Sequence, residues 1–249
     1  MSYKSGIDLS SHNGAIDFKK IKDAGIEFAI LRTGYGKKEP DQYDKRFEEY
    51  YKGCKENGIH VGAYHFSYAL TVDAAEEEAD FMLEIVKGKQ FEYPLFFDIE
   101  HKTHAALSKA VCAEIVEAFC TKLEKAGCYA GVYSYDSFFF SNLPPAVPQR
   151  FAAWTARVED IEPTYCKNYA IWQYTWRGKI DGAESNVDMN RCSKDYPSII
   201  KKKGLNGFTK ESECYTVTAK KAKVSADDAE ALKESCKSLG MTVNIEKNL

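Results

Sequence analysis

An eight-stranded α/β barrel is the fold this sequence predicts, and three observations predict it. Short apolar runs alternate five times with segments of helical periodicity. Three more strand-like runs follow, with no helix of comparable length between them. Repeated β-α alternation builds a parallel sheet, and eight strands are enough to close one. The expectation is a (β/α)8-like barrel whose last three helices are lost or vestigial, with a small βαβ appendage after it.

The elements follow in order. "SGIDLS" (5–10) is the first strand, and "GAIDFKKIKDAG" carries a short helix closed by Gly25. "FAILRTG" (28–34) is the second strand. After it Phe47, Tyr50, Tyr51 and Cys54 recur at helical spacing until Gly58 stops the helix. "HVGAYHFSYA" (60–69) is the third strand, and "TVDAAEEEADFMLEIVKG" is a helix with an acidic start, an apolar face and a stop at Gly88. "YPLFFDIE" (93–100) is the fourth strand, leading to a long helix from near Ser108 to Gly127. "YAGVYSY" (129–135) is the fifth. "RFAAWTARV" (150–158), "YAIWQYT" (169–175) and "NVDMNRC" (186–192) complete the count.

The composition shifts after residue 195. "DYPSIIKKKGLNG" has the Pro, Gly and Lys content of a linker. The expected organisation is a catalytic barrel over 1–195, a linker over 196–209 and a small module over 210–249. In that module "CYTVTAKKAKV" and "MTVNIE" alternate as strands. "SADDAEALKESCKSLG" is a helix capped by Ser225, with Ala229, Leu232, Cys236 and Leu239 on its apolar face. A βαβ piece this short is too small for independent stability. It is expected to dock, bind a partner or pair with a second copy.

The bulk numbers exclude several classes. The 249 residues are 44% hydrophobic and 29% charged, ordinary for a globular chain. A net charge of -3 gives no electrostatic reason to expect nucleic acid. No apolar run is long enough to cross a bilayer, and "MSYKSGIDLSSHNG" lacks the apolar core of an export signal. The expectation is synthesis in the cytoplasm with no membrane insertion. Eight cysteines without a CxxC pair or an export leader read as free thiols. Cys112 and Cys120 fall on one helix about 12 Å apart along its axis, too far to bridge.

The stretch "PLFFDIEH" (94–101) carries the chemistry. An apolar run has no structural need to end in two acids, because ionised carboxylates are costly to desolvate. Residues i and i+2 of a strand share a face, so Asp98 and Glu100 point together, roughly 6–7 Å apart along the chain. They stand at the C-terminal end of their strand, where parallel barrels place active sites. Asp8 holds the corresponding end of the first strand, and Asp188 lies in or beside the eighth. Each acid alone is as readily a cap or turn former. Four at one mouth are harder to explain by capping, since like charges in a cleft raise one another's pKa.

Two carboxyls flanking one bond are the requirement for glycoside hydrolysis. Glu100, with the longer reach and the outer position, is assigned as the proton donor, and Asp98 as its electrostatic partner. Tyr64, Tyr133, Trp154, Trp172 and Tyr174 are candidate substrate contacts, because sugar rings present apolar faces that stack on aromatics. Several of these also suit a barrel filling. Arg32, in the second strand, joins them as a candidate contact. The run Phe138-Phe139-Phe140 reads as core or loop anchor.

These strings together resemble a known family. "GIDLSSHNGAIDF", "GAYHFSYA", "PLFFDIE", "GVYSY", "WQYT" and "VDMNR" fall in order over residues 3–192 and are similar to glycoside hydrolase family 25, the Chalaropsis-type lysozymes of phage endolysins and bacterial autolysins. The resemblance implies a TIM-like (β/α)5β3 barrel. It implies cleavage of the β-1,4 bond between N-acetylmuramic acid and N-acetylglucosamine in bacterial peptidoglycan, with no cofactor. Its Asp-x-Glu motif falls on Asp98 and Glu100, its outer acids on Asp8 and Asp188, and its tyrosine on Tyr64. It further implies retention, with the substrate's N-acetyl group as internal nucleophile. The lack of a leader fits an endolysin released through a holin, an exported autolysin being the alternative. The C-terminal module resembles only about half of a SPOR-type peptidoglycan-binding fold, and a dimerising role stands beside wall binding.

Two rivals remain at this level. Asp8, His12, His65, Asp98, His101, His104 and Asp188 would supply a metal-dependent hydrolase, although their spacing matches no ligand motif. A catalytically dead binding barrel is opposed by the intact Asp98–Glu100 pair. No G-x-S-x-G nucleophile turn is present.

Overall fold

Eight strands close on themselves in sequence order in the computed structural model, which describes residues 3–158, 161–210 and 225–240. They are β1 (Lys4–Leu9), β2 (Phe28–Tyr35), β3 (His60–Phe66), β4 (Leu95–Asp98), β5 (Ala130–Tyr135), β6 (Ala152–Ala156), β7 (Tyr169–Gly178) and β8 (Val187–Cys192). Pairing from β1 through β7 is parallel.

The last strand departs from the all-parallel expectation. β8 runs antiparallel to both β7 and β1. No helix separates β7 from β8, and so short a connection can only reverse the chain. The start of β8 therefore lies at the rim where the parallel strands end, which brings Asp188 to the mouth rather than the base.

The helices are α1 (Phe18–Asp23), α2 (Phe47–Glu56), α3 (Val72–Val86), α4 (Lys109–Lys125), α5 (Asp136–Ser141), α6 (Ala146–Arg150), α7 (Tyr196–Lys203) and α8 (Ala226–Ser238). The barrel's helices each bury apolar residues on one face, and α1, α3, α4 and α7 also start behind a side-chain cap. Ser108 caps α4 by accepting from Val111 N. The helix buries Ile115, Val116, Phe119 and Leu123 against the outside of the sheet, each worth about 1.5–3 kcal/mol. Gly127 then ends the chain turn at φ +79°.

Residues 196–209 are not a linker. They hold α7, capped at its start by Asp195 and at its end by left-handed Gly204. Tyr196 and Ile200 are fully buried. The Tyr196 ring packs on Tyr93 and Tyr129, which immediately precede β4 and β5. Asn206 donates to the carbonyls of Phe91 and Tyr93 and accepts from Tyr129 N. The segment thus closes the end of the barrel opposite the mouth. The first compact unit runs to Glu211, and the second is Ser212–Leu249. Within the second, α8 begins at Ser225, whose hydroxyl accepts from Asp228 N as its sequence predicts. The two strands expected beside it lie outside the described residues.

The seven cysteines among the described residues are free thiols. Phe138 and Phe139 are buried, whereas Phe140 is exposed and stacks on Tyr165. No helix is long and apolar enough to cross a membrane among the described residues.

Candidate active site

The four acids meet in one cleft. Asp8 of β1 lies directly opposite Asp188 of β8 in the strand register. Asp98 is the last residue of β4, between Phe66 of β3 and Tyr133 of β5. Glu100 follows just past the strand. All four line an open cavity of about 750 Å³ at the mouth of the barrel.

The floor of the cleft is aromatic. Trp154 is 1% exposed and packs against Tyr133, Phe96 and Tyr64 at centroid distances of 4.3, 5.3 and 5.9 Å. Tyr64, Tyr133 and Trp154 all line the cavity, as their sequence positions suggest. Trp154 does so as a barrel filling from below, its indole N–H donating to Asn190 Oδ1 at 2.8 Å.

Burial sets the electrostatics. Asp98 is 3% exposed, and its Oδ1 has no hydrogen-bond partner among the described residues. Desolvation, then the neighbouring charges of Glu100 and Asp8, push its pKa well above the usual carboxylate range, while Arg32 pulls it down. Glu100 is partly exposed. Burial and the charge of Asp8 raise it, and hydrogen bonds with the Tyr135 and Tyr133 hydroxyls oppose them. Desolvation, with Asp8 and Glu100 nearby, lifts Asp188 to about 8. Asp8 is 6% exposed and rises only to about 6, because Asn190 and Gln173 both donate to it. Burial and mutual charge thus shift all four acids toward the neutral form relative to ordinary carboxylates, the direction a proton donor requires.

Arg32 borders the cavity with its guanidinium already engaged. Nε donates to Asp44 at 2.8 Å and Nη2 to Ser11 Oγ at 3.2 Å. Asp44 in turn accepts from the backbone N–H groups of Ser11 and Arg46. The pair fixes the turn after β1 against β2.

Trp172 and Tyr174 do not belong to the cleft. Strand residues alternate faces, and Gln173 points inward, so its two neighbours point outward. There the guanidinium of Arg191 lies 5.1 and 4.1 Å from their ring centroids, and Trp172 Nε1 donates to Arg157 O. The pairing of β7 with β8 slips after Gln173, which breaks the alternation. Trp176, 46% exposed, thereby turns its indole N–H back to Gln173 Oε1 at 2.8 Å.

Gln173, Asn190, Tyr135 and Trp176 are the members that sequence reasoning passes over. "WQYTW" holds two of them, but only the strand parity and the slip reveal which side chains turn inward. Of the histidines of the metal reading, His12 lines the cleft, and the other three are engaged elsewhere, His101 with Thr103 Oγ1. His65 contacts Thr33 Oγ1 and Gly36 O, and His104 contacts Ala69 O. No group of three or more His, Cys, Asp or Glu side chains is arranged for a metal ion among the described residues.

Comparisons with known proteins converge on this architecture. The family model for glycosyl hydrolases family 25 matches residues 7–183. The autolytic lysozyme of Clostridium acetobutylicum is 24% identical over 189 residues, 76% of this chain and 56% of its own. The chain thus spans little more than half the length of that relative. The solved CTP1L endolysin superposes with a TM-score of 0.69 at 25% identity, over 80% of this chain and 69% of that one. The bacterial lysozyme from Streptomyces coelicolor shares the fold, with a TM-score of 0.69 at 24% identity, over 80% of this chain and 96% of that one.

Proposed function

Since the chain belongs to the glycosyl hydrolases of family 25, we propose that it is a lysozyme. Its reaction is hydrolysis of the β-1,4 bond between N-acetylmuramic acid and N-acetylglucosamine in bacterial peptidoglycan. The observation that carries this reading is the convergence of Asp8, Asp98, Glu100 and Asp188 on one aromatic-floored cleft.

The roles follow from burial and reach. Glu100, partly exposed just past β4, gives its proton to the glycosidic oxygen as the bond breaks. Asp98 has a buried, unpartnered oxygen that suits the acetamido N–H of the substrate. Burial and the neighbouring acids shift Asp98 toward the neutral form. An N–H donated to its carboxylate favours the ionised one. Substrate thus commits Asp98 to the anion and leaves the proton on Glu100. The acetamido oxygen, oriented by Asp98, attacks the anomeric carbon and displaces the leaving sugar. Water then opens the oxazolinium-like intermediate and returns a proton to Glu100. Two displacements retain the anomeric configuration, a substrate-assisted variant of two-carboxyl hydrolysis.

We infer an endolysin as the setting, with release by a holin, and an autolysin as the alternative. The C-terminal unit is proposed to bind the wall, with self-association as its other reading. Glu100→Gln tests the core assignment. It should lower turnover by about 10²- to 10⁴-fold, the usual worth of a positioned acid, and still sediment with purified walls. A variant that cleaves like the wild type removes Glu100 from the role.

A further inference from the structure

Two side-chain amides hold one member of the acid quartet, and their orientation is fixed. Asn190 Nδ2 and Gln173 Nε2 donate to the same oxygen, Asp8 Oδ2, at 2.7 and 2.9 Å. An amide placed this way could flip and present its oxygen instead. Neither can here, because each amide oxygen already accepts from a donor-only group. Asn190 Oδ1 accepts from the Trp154 indole at 2.8 Å, and Gln173 Oε1 accepts from the Trp176 indole at 2.8 Å. Gln173 Oε1 also accepts from the Tyr133 hydroxyl at 2.8 Å. All of these groups except Trp176 are largely buried, so a reversed amide would face two donors without water to relieve it.

Gln173 therefore has a direction. The Tyr133 hydroxyl, which also interacts with Glu100, has one proton. When that proton points to Gln173, its oxygen is left to accept from Glu100. The chain then runs from a protonated Glu100 through Tyr133 and Gln173 to an ionised Asp8. In the opposite assignment the Tyr133 proton turns to an ionised Glu100, which sets the Tyr133 and Gln173 oxygens acceptor against acceptor, and a neutral Asp8 receives the two amide N–H groups more weakly than the carboxylate does.

We propose that Gln173 is a positioning residue that decides which carboxyl carries the catalytic proton, by committing Asp8 to the anion. The charge of Asp8 then keeps the proton on Glu100. The charged and titratable groups around Asp8 bear on this balance: Asp188 from β8, Arg32 from β2, Tyr64 from β3, Asp98 and Glu100 from β4 and its end, and Tyr133 from β5, with His12, Asp44 and Lys45 also lining the cleft. Arg32 is paired with Asp44. The amides are thus the inner stabilisers of the Asp8 charge. This inference rests on the lysozyme reading.

The test is the pH dependence of kcat/KM on purified peptidoglycan for the wild type, Gln173→Met and Trp176→Phe. Gln173→Met removes one of the two amide donors to Asp8, together with the longer 3.4 Å contact from the same amide to Asp188. The acid limb should rise, because Asp8 protonates more readily, and the alkaline limb should fall by about one pH unit, because Glu100 loses the neighbouring charge. Trp176→Phe leaves the buried core untouched and removes only the exposed indole that pins the amide. It should narrow the profile in the same sense and to a smaller extent. Profiles lowered in height with both limbs in place overturn the role of Gln173. A wild type that releases no reducing-end N-acetylmuramic acid overturns instead the reading beneath it.

Discussion

Asp8→Asn should make the protein more stable at neutral pH while impairing it as an enzyme. In the folded state burial lifts the Asp8 pKa from an ordinary 3.8 to about 6. Below the unfolded value the carboxyl is neutral in both states and costs nothing. As pH rises through 3.8 the unfolded chain ionises first, so folding must exclude that charge or desolvate it. The cost is complete once pH passes about 6. At 1.36 kcal/mol per pH unit this interval corresponds to about 3 kcal/mol at most. The asparagine is nearly isosteric, and its oxygen can accept from Asn190 and Gln173 as the carboxylate does, so no donor is stranded. For a chain of this size the gain amounts to about 6–12 °C in Tm at neutral pH. Thermal and urea unfolding at about pH 4 and about pH 7.5 measure it. The variant should gain stability only at the higher pH, and its wall-lytic activity should fall, an exchange expected where an active site stores electrostatic strain. A variant no more stable than the wild type at neutral pH, or equally stabilised at both values, refutes the reasoning.

Other substitutions probe other parts of the account. Arg32→Met strands the fully buried Asp44 and should cost about 3–5 kcal/mol in chemical denaturation. Asp136→Ala removes a carboxylate that accepts from the backbone of Thr164, Tyr165 and Cys166 and from Arg157. A loss of about 3 kcal/mol is expected, with earlier proteolysis of the loop before β7. Tyr174→Ser alters the outer face of β7 and should leave kcat/KM at the wild-type level, whereas a large drop in KM-normalised rate would return that side chain to the cleft. NMR of the first product should show the β-anomer, and an initial α-anomer rules out acetamido participation.

Much of the barrel is legible because each strand obeys a local rule. An apolar run bounded by Gly, Asn or Asp places β1 to β8 within a few residues, and it brings Asp98 to the end of β4, although the strand stops there and Glu100 reaches the cleft from just past it. What fails is what depends on partners distant in sequence. The direction of β8 follows from the absence of a crossover helix, which makes Asp188 a rim residue. Trp172 and Tyr174 look like sugar platforms until Gln173 fixes the strand parity. The segment after Asp195 has a linker's composition, yet Asp195, Pro197, Ile200 and Gly204 already spell a capped helix. The Lys run on its exposed side hides that signal. The slip that brings Trp176 back to Gln173 has no local signature at all.

The central claim is that this quartet of acids hydrolyses one glycosidic bond, and mass spectrometry of purified peptidoglycan after digestion tests it most directly. The account predicts soluble fragments ending in reducing N-acetylmuramic acid. Fragments ending in reducing N-acetylglucosamine, or free peptides from uncut glycan, would contradict it.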